Sequence, residues 1–309
     1  MLRQTDGPKL MTASRGPLSA VERVTVDPVA IAAFTREWDF MVLASELLRE
    51  VTSYVGVAAC VLGSAPAWTR DQAAVGGNMV RLSKLLSAFL DQTVQKKMET
   101  STILSRLAFE TIVNVRYLIA DFSPELVNSF VRHSLKHERR LHDTIQANIR
   151  ERGGEVLHIE KRMLNSIDRA ARIAGIALDS VDLKDRAPWG GKDLRQKAAA
   201  VGLEQPYLAV FGGMSHNVHG SWHDLYQFHL ETDEVGAFTP NLDWGRPRPQ
   251  PLFALGHLAL SAVAEFLIFI GGEAAVDQLR RQLRDLGARI TSVDEAHESY
   301  LSGKTWPAI

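Results

Sequence analysis

Apolar positions recur at three- and four-residue spacing along most of this chain, and no useful run alternates with the period of two that a half-buried strand requires. Asp27 before Pro28 reads as an N-cap with proline at the first helical position. From there Phe34, Trp38, Met41, Leu47, Leu48 and Val55 predict one long first helix, ended by Gly63 to Pro66. A second helix begins near Thr69 to Asp71 and carries Met79, Leu82, Leu85, Leu86, Phe89 and Leu90. Ser123 and Pro124 cap a fourth, more polar helix that runs to Arg152 and stops at Gly153 and Gly154. A fifth spans Glu155 to Ala174, and Pro188 to Gly191 reads as a turn. Short helices are expected over Asp193 to Val201 and Pro206 to about Val218.

The third segment, about Met98 to Ala120, differs from the rest. Ile103, Leu104, Leu107, Phe109, Ile112, Val113, Val115, Leu118 and Ile119 leave it no wide polar face, so it belongs in the middle of a bundle. Glu231 to Gln250, rich in Pro, Gly, Asp and Asn, is a long loop or short hairpin, a length often tied to function. Leu252 to Ile270 returns to the core, and Glu273 to about Leu301 is an amphipathic helix with a candidate break at Gly287. The pattern therefore predicts an all-α, multi-helix bundle with a central buried helix and a loop or hairpin before the penultimate core helix. It divides into a mobile tail (1–26), a helical bundle domain (27–272) and a C-terminal amphipathic helix and tail (273–309).

Composition narrows the function classes. At 309 residues and 46% hydrophobic the chain can bury a substantial core, and a formal charge of -1 supplies no basic field for phosphates, so nucleic acid stays open as a partner without support from net charge. One cysteine, Cys60, excludes internal disulfides and cysteine-based zinc sites. Residues 252–270 approach spanning length, but Glu265 would be costly at mid-bilayer, and the chain is read as soluble and cytoplasmic, with no membrane partner.

Two features carry chemistry. Arg106 and Glu110, four apart, share one side of the apolar third helix, with Val113 and Tyr117 continuing the stripe. Charges there must be paired and hydrogen-bonded or face a wet pocket, so they form either a structural polar lock or a site. The second feature is Ser215 to His223, which with His229 holds four of the ten histidines. On one helix His216, His219 and His223 would project together with metal-ligand spacing, but Gly220 predicts that the helix ends there. Hydrogen-bonding or capping histidines are the plainer reading, and no metal or cofactor is assigned. Phosphate-binding glycine loops, nucleophile elbows and His-Glu-x-x-His helices are absent from the sequence.

Arg106-Leu-Ala-Phe-Glu110 followed by Ile112 to Leu118, with Tyr207 through Ser215-His-Asn-Val-His219-Gly220-Ser221, resembles the uncharacterised bacterial domain of unknown function 5677 over roughly Phe40 to Gly271. The resemblance implies a matching set of Arg106, Glu110, Ser215 and His219, carries no established activity, and departs at Phe211, where the family's tyrosine-like position lacks a hydroxyl. Arg132-His-Ser-Leu-Lys-His137 is more weakly similar to the arginine-histidine signature of HEPN ribonucleases and toxins, and a homodimer is left open with it.

Three functions follow, the third being a HEPN-like ribonuclease toxin dimer, which requires Arg132 and His137 to meet in a shared cleft. In the first, Arg106 holds an anion, Glu110 orients a group and His219 acts as general acid or base beside Ser215, with His216, Asn217, His223 and Tyr117 lining a pocket for an unknown small or nucleic-acid-derived ligand. In the second, the same residues are a non-catalytic hydrogen-bond network in an interaction or regulatory module. The sequence leaves open whether the chain is an enzyme.

Overall fold

A computed structural model describes residues 21–208 and 218–305. The fold is all-α, with helices α1 (Pro28–Ala32), α2 (Glu37–Ala59), α3 (Arg70–Val94), α4 (Met98–Ala120), α5 (Pro124–Glu151), α6 (His158–Ala174), α7 (Leu194–Ala200), α8 (Glu204–Pro206), α9 (Trp222–Asp224), α10 (Gln250–Gly271) and α11 (Glu273–Ser302) among the described residues. Strands β1 (Leu230–Thr232) and β2 (Phe238–Pro240) make a small antiparallel hairpin that pairs Glu231 with Thr239, so the region before the penultimate core helix is a short hairpin with a trailing loop.

Five long helices, α2, α3, α4, α10 and α11, share one apolar core. α4 lies at its centre, with α3 on one side, α10 on another and α7 on a third, and its Phe109, Ile112, Val113, Val115 and Leu118 are fully buried. Each such side chain contributes roughly 1.5–3 kcal/mol through burial. α10 is long and apolar enough to cross a membrane, yet here its Leu255, Ala259, Val263 and Phe266 are in the core. Its Glu265 pairs with Arg116 of α4, Nη2 to Oε1 at 2.8 Å.

The predicted single first helix is two. Asp27 caps α1 as expected, accepting from the Val29 N–H, but the helix ends at Ala32 and Arg36 is extended before α2 begins. The break turns the Phe34 ring edge-on to Phe40 at 5.0 Å, an inward packing that a continuous helix would not give. The candidate break at Gly287 does not occur, because α11 runs through it. Instead Gly287 faces Leu260, and Gly256 of α10 faces Ile290, so the two glycines let α10 and α11 approach closely.

α5, about 42 Å long at 1.5 Å per residue, leaves the bundle after Val131 and forms an arm with α6. The arm has its own small clusters, Leu135 with Ile176 and Val181, and Ile145 with Ile149 and Ile167.

Candidate functional site

Arg106 and Glu110 stand one turn apart on the side of α4 that meets residues 189–207. Arg106 is 9% exposed, its guanidinium lies over the Tyr207 ring at 5.4 Å from the centroid, and its Nη1 has no hydrogen-bond partner among the described residues. Glu110 makes no ion pair with it. The field of its carboxylate reaches Lys197 of α7, whose charged form it favours.

Asp193 starts α7 by accepting from the Gln196 N–H at 2.8 Å, while the Gln196 side chain accepts from the Asp193 N–H. That register puts Lys197 on the face shared by Leu194 and Val201, which pack on the core. Lys197 is 3% exposed, and its Nζ rests 3.5 Å from the centre of the Trp189 ring. Burial pushes its ammonium down to about 8, only partly countered by the Glu110 and Asp193 carboxylates.

Trp189 is fixed by the rings of Tyr117 (5.5 Å) and Phe130 (5.1 Å). Gly190 beside it has φ +65°, and a Cβ there would meet Leu126 Cδ1 at 2.9 Å and Tyr117 Cε1 at 3.0 Å, so glycine is required on both counts. The Tyr117 hydroxyl donates to the Gly190 carbonyl at 3.3 Å and accepts from Lys192 Nζ at 3.3 Å. The stripe of α4 thus meets Tyr207, Lys197 and Trp189 in order.

On the outer side of Trp189 a cleft of about 510 Å³ is lined by Ser129, Arg132, His133, Lys136 and Asp185 among others. Lys136 Nζ donates to the Asp185 carbonyl (2.7 Å) and carboxylate (3.1 Å), and Arg132 donates to Ser180 Oγ at 3.1 Å. Burial and then the charges of Lys136 and Lys197 hold the His133 imidazole below its ordinary value, so the field of Lys197 reaches this cleft. Arg132 and His137, five residues apart on α5, are both exposed and point about 140° apart around the helix.

The histidine-rich segment is only partly described. Ser215, His216 and Asn217 lie outside the described residues. His219 and His223 are exposed, and Gly220, at φ +59°, separates them, with Ser221 capping a new turn at α9. They do not share one continuous helix, so the metal spacing considered for His216, His219 and His223 loses its basis. Among the described residues no hydrogen bond or ion pair joins His219 to Arg106 or Glu110. Asp224 is buried, and His229 Nε2 stands 3.5 Å from its Oδ2.

A second buried arginine gives the contrast that matters. Arg289 of α11, 8% exposed, donates to both Glu50 carboxylate oxygens (2.7 Å each), to Asp285 Oδ2 (2.9 Å) and to the Val24 carbonyl (2.8 Å). Glu50 also accepts from the Val24 N–H at 2.9 Å. This is a satisfied structural lock, and sequence reasoning missed it, although Glu50 shares a helix face with Leu47 and Tyr54, and Arg289 with Leu286 and Val293. Lys197 was missed in the same way.

A family model, described as a family of unknown function (DUF5677), matches residues 72–237, just over half of the chain. The chain belongs to this family. The DUF5677 match lies inside the Phe40 to Gly271 span expected from the resemblance, and it contains most of α3 and all of α4 to α9, with Arg106, Glu110, Tyr117, Lys197, Tyr207 and His219. The Glu50–Arg289 lock lies outside it. No curated protein and no solved structure matches the chain.

Proposed function

We propose that this DUF5677 protein binds a small anionic ligand, of the phosphate or carboxylate class, between α4 and the 189–207 segment. Arg106 and Lys197 supply the positive charge, and Glu110 accepts a hydrogen bond or proton. The observation that carries the reading is the Arg106 Nη1, which has no hydrogen-bond partner among the described residues. A buried guanidinium costs several kcal/mol unless its donors are satisfied, and Arg289 shows how this fold satisfies one that is purely structural. Arg106 has an aromatic face beneath it and a donor to spare, as an anion-binding arginine does before its ligand arrives. In this reading His219, exposed at the end of the histidine-rich segment, is the acid or base of any reaction.

The test is a thermal-shift and calorimetric titration of the purified protein with inorganic phosphate and with adenosine monophosphate. Binding by the wild type that is lost in Arg106→Met and Lys197→Met, with ligand-free melting temperatures that do not fall, supports the site. A fall of several degrees in ligand-free Arg106→Met, with no binding by the wild type, supports the structural lock instead.

A second reading, an interaction module, draws on the exposed apolar side chains of Trp222, Tyr226, Val235, Phe238, Leu242 and Trp244 on and around the hairpin. Light scattering that gives a dimer in the wild type and a monomer in Trp222→Ser with Phe238→Ser would favour it.

A further inference from the structure

We propose that Asp294, His297 and Glu298 of α11 bind a first-row divalent cation, for which zinc is the reference ion. One donor atom from each of the three lies within 4.8 Å of the others. The three positions, i, i+3 and i+4, fall on one face of an uninterrupted helix.

The independent observation is the state of His297. Its residue is 0% exposed, and neither ring nitrogen has a hydrogen-bond partner among the described residues. Buried imidazoles normally have at least one, and Nδ1, which has no protein group assigned to it, calls for a group from outside the chain. Glu37 Oε1 stands 3.6 Å from Nε2, too long for a hydrogen bond, and this oxygen is also buried with no hydrogen-bond partner among the described residues. With Glu37 against Nε2, Nδ1 is left for the ion. Glu37 then becomes the carboxylate that accepts the other ring N–H, fixing tautomer and orientation as in a carboxylate–histidine–metal triad.

Charge and surroundings agree. Two carboxylates and a neutral imidazole neutralise a divalent ion. The mixed nitrogen and oxygen donor set suits zinc, manganese or ferrous iron better than magnesium or calcium. Phe40 (5.1 Å) and Tyr300 (6.3 Å) flank the imidazole and keep one side of the site dry, while the exposed Glu298 provides the route in. Zinc ligands about 2.0–2.2 Å from the ion require the two carboxylates to close by roughly an ångström through side-chain rotation. The site lies outside the DUF5677 match and is separate from the α4 pocket.

The experiment uses the full chain treated with a chelator, then titrated with zinc and separately with magnesium by calorimetry, with circular dichroism as the check on folding. The expected result is one zinc per chain, weakened at least tenfold by Asp294→Asn or Glu298→Gln, which alter half-buried and exposed positions. Glu37→Gln should weaken it about 10–100-fold. His219→Ala with His223→Ala, which removes the exposed imidazoles near the hairpin, should leave it unchanged. Folded wild type that takes up no zinc overturns the proposal, as does uptake that follows His219 and His223 instead of Asp294 and Glu298. Because phosphate binding is read at Arg106, failure here leaves that reading standing.

Discussion

A guanidinium carries five N–H donors, so burying one asks for several acceptors at once, and Arg289 and Arg106 meet that demand differently. Arg289 is saturated by Glu50, Asp285 and the Val24 carbonyl, so Glu50→Ala should cost about 3–5 kcal/mol in urea denaturation by leaving its cation stranded. Glu50→Leu with Arg289→Met should recover most of that loss; a single-variant loss under about 1 kcal/mol would mean that water already solvates the pair. Lys197 behaves oppositely. Its folded value near 8 lies below the unfolded value of about 10.4, so between those pH values the unfolded chain holds a proton that the folded chain lacks. Stability contributed by this residue therefore rises with pH from about 8 to 10, and below 8 the full cost of burying the ammonium is present. Lys197→Met should be at least as stable as the wild type at pH 7, with the gap closing by pH 10. A variant that is several kcal/mol less stable at pH 7 would show that the ammonium holds the fold together. The burial of Arg106 on α4 was legible, because a helix with no wide polar face must take into the interior some of the charge it carries. Its partners were not, since Tyr207 and Lys197 reach Arg106 and Glu110 through tertiary packing that no local spacing records.

Helices with strong caps were read nearly to the residue. Thr69 and Gln72 form a capping box at α3, Ser123 accepts from the Leu126 N–H at α5, and Gly175 closes α6 in the left-handed region, each a local device with a local signature. Where local and tertiary preferences compete, the reading failed. The spacing of Phe34 and Trp38 continued α1 into α2, yet ring packing of Phe34 on Phe40 breaks the helix; Gly287 signalled an end, yet close approach to α10 keeps α11 intact. The α5–α6 arm provides a test at this scale. Its two clusters hold only a few residues each, and Gly153 and Gly154 turn in open space, so the arm should open before the bundle does. Hydrogen exchange is expected to show faster amide exchange across residues 140–170 than in α4. Ile149→Ala, worth about 2–5 kcal/mol locally, should abolish protection in the arm and leave α4 unaffected. Loss of protection in α4 as well would mean that arm and bundle unfold as one unit.

At the scale of the whole molecule, the bundle is assembled from both ends of the chain. α2 and α3 come early, α10 and α11 late, and α4 is enclosed by members of both sets. The match to DUF5677 covers the middle and leaves α2, α10 and α11 outside, so the outer walls of the core and the α4 stripe fall in different parts of the sequence. The Glu50–Arg289 lock spans that arrangement, joining residues 239 positions apart. During synthesis at roughly 5–20 residues per second, the carboxylate of Glu50 therefore waits on the order of 10–50 s for its counter-ion to leave the ribosome. Until then the Val24 N–H is the one partner from this lock already made, so the contact that ties α2 to α11 can close only once α11 has been translated.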